Sequence, residues 1–145
     1  MDDPIEQETE FTLANVPQQG NIPKFIITQI STTPPRTGSI TVTIPDGRMY
    51  AITLLAFFTV TFTDSASGQV TRETAVGHWR FTETAGTVTF EVEVAFVFLA
   101  GGSQEIRYTM RRNGVDTGQT RGEQIGGSGT AAVAGHLLAI IEDIT

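Results

Sequence analysis

The chain has no cysteine, two histidines (His78 and His136) and a single lysine (Lys24) among its 145 residues. Without cysteine there are no disulfides and no thiolate metal sites. The histidines are far apart in sequence and form neither a His-x-His nor a His-x-x-x-His spacing, so no zinc or other metal and no cofactor is expected. No apolar run approaches the length that crosses a bilayer as a helix, and the acidic start lacks the apolar stretch of a signal peptide. The expectation is synthesis in the cytoplasm, with no membrane partner. No basic tail or stripe is present to displace counterions, which argues against nucleic acid as a partner.

The charge that is present is unevenly placed. Asp2, Asp3, Glu6, Glu8 and Glu10 lie within the first ten residues of a chain whose net charge is −7. Beyond them 11 acids face nine bases, so the body is nearly neutral. Residues 1–24 read as an extended acidic arm with Phe11, Leu13 and Val16 as anchors. Residues 25–145 read as one domain, long enough for a core that needs no staples.

Hydrophobic periodicity is the strongest signal. In Val88–Leu99, Val88, Phe90, Val92 and Val94 alternate with Thr89, Glu91 and Glu93, as in a strand with one dry and one wet face. The wet face then turns apolar at Ala95, Val97 and Leu99. Tyr50–Thr63 repeats the pattern: Leu55 and Phe57 interrupt a threonine face. A strand that long is expected to bend, to carry a bulge or to cross a sheet corner. Further strands are expected at Phe25–Ile30, Ser39–Ile44, Val70–Phe81 and Glu105–Arg112. Pro45-Asp46-Gly47 reads as a hairpin turn between two of them. Asp64–Gly68, Thr84–Gly86 and Ala100–Ser103 read as turns, and Asn113-Gly114 as a type I′ turn. Gly118–Gly129 reads as a long mobile loop. Thr130–Thr145, with its alanines and Leu137, Leu138, Ile140 and Ile141, would tolerate a helix, but a final strand from about Gly135 fits the otherwise uniform β pattern better. The fold class is all-β: an antiparallel β-sandwich or jelly-roll-like barrel with an extended N-terminal arm.

No catalytic constellation stands out. There is no Gly-x-Ser-x-Gly elbow. Glu91 and Glu93 are spaced like a carboxylate pair but read as a solvated strand face. Gly126–Gly129 has no following lysine and reads as a loop rather than a phosphate cradle. In His78-Trp79-Arg80, alternation sends Trp79 to the core and leaves His78 and Arg80 outside. No enzymatic activity is expected.

The run Val88–Leu99, Glu105–Arg112 and Asn113-Gly114 resembles the hairpins of TNF/C1q-like jelly-roll modules on bacteriophage fibres and virion surfaces. Pro45–Tyr50 through Gly77–Arg80 to Gly86-Thr87 resembles repeat-like β domains of phage structural proteins, so the resemblance spans about Ser39 to Gly118. It implies a virion structural protein, often trimeric. The leading expectation is a capsid decoration (cement) protein on the virion's capsid surface, acting as a homotrimer. Its oligomer interface would be Leu55, Phe57, Ala95, Val97 and Leu99, and its arm would reach a neighbouring subunit, the major capsid protein or another virion protein. The alternative is a tail-fibre or tail-tip module that binds a cell-surface glycan through His78, Arg80 and Arg111.

Overall fold

The computed structural model describes residues 23–98, 100, 102–125 and 129–145. They form six antiparallel strands: β1 (Lys24–Ile30), β2 (Arg36–Asp64), β3 (Val70–Phe98), β4 (Gln104–Arg112), β5 (Val115–Ile125) and β6 (Gly129–Asp143). The sheet order is β1-β6-β2-β3-β4-β5.

The sheet does not close into a barrel. It folds over on itself. Phe81 and Phe90 belong to the same strand, and nine residues of straight strand would set them about 30 Å apart. Their ring centroids are 4.9 Å apart. The strand therefore doubles back between them. Gly86 has φ 128°, a region open essentially to glycine alone, and in β2 the register slips between Ile44 and Met49, where Gly47 has φ 78°. Both strands of the long β2–β3 hairpin thus bend at one corner, and the result is a β-sandwich. Layer A holds β1, β6, residues 49–64 of β2 and residues 70–84 of β3. Layer B holds residues 36–44 of β2, residues 86–98 of β3, β4 and β5.

The core fills the space between the layers. Alternation supplies it from both sides: Ile40, Val42, Ile52, Leu54, Val60, Phe90, Val92, Met110 and Leu137 are fully buried. Tyr108 of layer B meets Phe58 and Trp79 of layer A edge to face, at 5.4 and 6.2 Å. Trp79 is packed against the core, as alternation predicts.

Four expectations are corrected. Pro45–Gly47 does not join two neighbouring strands as a hairpin turn. It is the corner of one strand, because 36–44 and 49–63 both pair with β3 and not with each other; likewise Thr84–Gly86 is the matching corner of β3. Gly118–Ile125 belongs to β5 rather than to a loop, since pairing to β4 offsets its low intrinsic strand preference. The last strand starts at Gly129, not Gly135, because β2 offers it partners as far as Asp64. The β2–β3 turn and the Asn113-Gly114 turn stand where the sequence places them. The Asp64 carboxylate accepts from the Ala66 and Ser67 N–H groups, and Asn113 and Gly114 have φ 50° and 81°, as a type I′ turn requires.

Candidate functional site

The outer face of layer A carries a continuous apolar patch. Register alone assembles it: Phe25 stands beside Ile140, Ile27 beside Leu138, Leu138 beside Leu55, and Phe57 beside His136. Phe25 is 46% and Phe57 37% exposed, while Ile27, Leu55, Leu138 and Ile140 are half-buried. The His136 ring lies 6.0 Å from that of Phe57. Beside them Phe57, Val76, Ala134 and His136 line a shallow depression of about 360 Å³. Polar residues rim the patch: Gln29 on β1, and Arg72, His78 and Arg80 on β3.

The outer face of layer B is different in kind. Arg111 there reaches Glu93 at 2.7 Å, Asp116 at 2.8 Å and Glu91 at 3.3 Å. These carboxylates hold its guanidinium above its ordinary value, Glu93 contributing most. Glu91 and Glu93 thus belong to an ion-pair network on a partly solvated face. Farther along, Ala95 and Val97 are half-buried beside Arg107 and Glu105, and Glu105, 4% exposed, accepts from Arg107 at 2.6 Å.

The expected interface is therefore divided. Leu55 and Phe57 face outward from layer A, Ala95 and Val97 from layer B. They lie on opposite sides of the sandwich because the fold-over at Gly86 turns the two outer faces away from each other. Leu99 lies outside the described residues, as do the arm anchors Phe11, Leu13 and Val16. The alternative ligand site is divided in the same way. His78 and Arg80 are exposed on layer A, whereas Arg111 is on layer B and already holds three carboxylates.

Among the described residues no group of three His, Cys, Asp or Glu side chains could hold a metal. His78 and His136 share the outer face of layer A but stand two strands apart, about 10 Å by strand spacing. What the arrangement can do is bury apolar surface.

Four patch residues were not singled out in the sequence: Phe25, Ile27, Leu138 and Ile140. The signal was present, since F-I-I and L-L-A-I-I are apolar on both strand faces, as Leu55 and Phe57 are. Glu83, 6% exposed between the layers, also escaped notice, although it shares strand parity with Trp79 and Phe81.

No family model, no curated protein and no solved structure matches this chain.

Proposed function

We propose that this chain is a non-catalytic structural protein that assembles with copies of itself through the outer face of layer A, as a decoration protein on the exterior of a phage capsid. The observation that carries the self-assembly is the apolar patch of Phe25, Ile27, Leu55, Phe57, Leu138 and Ile140. Contiguous apolar patches rimmed by polar residues mark interaction surfaces. The virion setting rests on the sequence resemblance, which also makes a trimer the expected state. Covering what remains exposed of such side chains contributes about 1 kcal/mol each. Six such side chains match only the low end of a rigid-body cost of about 4–15 kcal/mol, so this patch by itself supports weak association.

Light scattering on the purified protein tests the assembly. An oligomer that becomes a folded monomer with Phe57→Asp and Leu138→Asp, its circular dichroism unchanged, supports it; a wild-type monomer at micromolar concentration overturns it. Co-sedimentation with empty capsids tests the setting, and failure to bind any shell would remove it.

A further inference from the structure

Among the described residues, 70–84 of β3 form an open sheet edge. They pair there with β2 on one side only, because β4 joins β3 from Phe90 onward. The Val76 carbonyl accepts from the Tyr108 hydroxyl at 3.4 Å, so it points away from β2. In an antiparallel ladder a residue sends its N–H and C=O to the same side, and every second residue does likewise. Arg72, Thr74, Val76, His78 and Arg80 therefore turn both backbone groups toward the open side. Their side chains lie exposed on the outer face, Val76 at 62%. Long edges are ordinarily shortened, bulged or covered. This one runs in unbroken register from Val70 to Thr84, beside the apolar patch.

We infer that this edge receives the acidic N-terminal stretch of a neighbouring copy as an added strand. The inference rests on the self-assembling reading above and supplies its second contact. Charge selects this occupant first. Arg72 and Arg80 are exposed, and neither has an ion pair among the described residues, while Asp2, Asp3, Glu6, Glu8 and Glu10 crowd the start of the chain. Pattern selects it next. Pro4 and Pro17 bound a proline-free window in which Glu6, Glu8 and Glu10 fall on one strand face and Phe11 and Leu13 on the other. The edge has the matching division, with Arg72 and Arg80 outside and Ala75 and Trp79 inside, packed on the core. The competing occupant is the same edge of a second copy. Antiparallel overlap centred on Val76 would set Arg72 of each copy opposite Arg80 of the other, and like charges directly opposite are destabilising.

Thr12→Cys with Thr74→Cys in the full chain tests this, since both thiols are new to a cysteine-free protein. Mild oxidation is expected to give disulfide-linked dimers and higher species. Adding Arg72→Glu and Arg80→Glu should cut them about tenfold at low salt. Thr12→Cys with Gln29→Cys, on the β1 edge, should link far less. No link, a link only within one chain, or equal linking through Gln29→Cys overturns the inference. Light scattering on the same samples separates the two readings: an oligomer without the link overturns strand addition alone, and a monomer overturns both.

Discussion

Arg112 of β4 grips Glu83 of β3 with both arms of its guanidinium, at 2.6 and 2.5 Å, and so ties layer B to layer A beside the corner. The two ends of the pair differ. The Glu83 side chain is 8% exposed and that of Arg112 42%. The Glu83 carboxylate raises the Arg112 guanidinium above its ordinary value.

That asymmetry predicts unequal costs. Arg112→Leu strands a buried carboxylate without a partner and is expected to destabilise the fold by about 3 kcal/mol. Glu83→Gln leaves a half-exposed arginine that water can solvate, at a cost of about 1 kcal/mol. Urea denaturation of both variants checks this; equal costs would show that Glu83 is not held as a buried charge.

Gly77 gives a prediction about packing. A Cβ there would lie 2.2 Å from the far edge of the Trp79 indole, which folds back over the glycine. Gly77→Ala must push that ring off its place against Tyr108, an overpacking expected to cost about 1–3 kcal/mol. Thermal unfolding measures it, and the tryptophan fluorescence of this single-tryptophan chain should shift with it. Unchanged emission and stability would contradict the packing described.

Asp143 gives a prediction about pH. Its carboxylate accepts from the Thr145 hydroxyl and N–H and from Arg48, and these hold it below the usual carboxylate value, Thr145 first. The unfolded chain therefore takes up this proton at a higher pH than the folded one. The stabilisation is complete above about pH 5 and is lost as pH falls through the folded-state value. Asp143→Asn should lower the melting temperature by about 2–4 °C near pH 7. The gap should narrow as pH falls below the usual carboxylate range and close once the native carboxyl is protonated as well. A gap independent of pH would assign the effect to packing of the C-terminal tie, in which Ile144 and Thr145 bond to Met49.

The sequence by itself determined the buried faces of the long strands, but not β5, whose Gly118–Ile125 stretch reads as a loop until β4 pairs with it. Period-2 alternation sets which side chains share a face, whatever partners the strand finds. Ile40, Val42 and Ile44, then Tyr50 through Phe62, then Val88 through Val94 are buried as their alternation requires. The Asn113-Gly114 turn was legible because its backbone needs are local. The tertiary structure alone decided the rest. Pro45–Gly47 carries turn chemistry, but the chemistry that allows a hairpin also allows a corner. The choice fell to β3, which pairs on both sides of the bend and brings Phe81 onto Phe90. The same bend decided the candidate site. Leu55 and Val97 have the same local pattern, yet long-range register placed Leu55 beside Leu138 and Ile27, and the fold-over sent Val97 to the opposite face. Alternation shows that a face is apolar; which apolar faces merge depends on pairings between residues far apart in the chain.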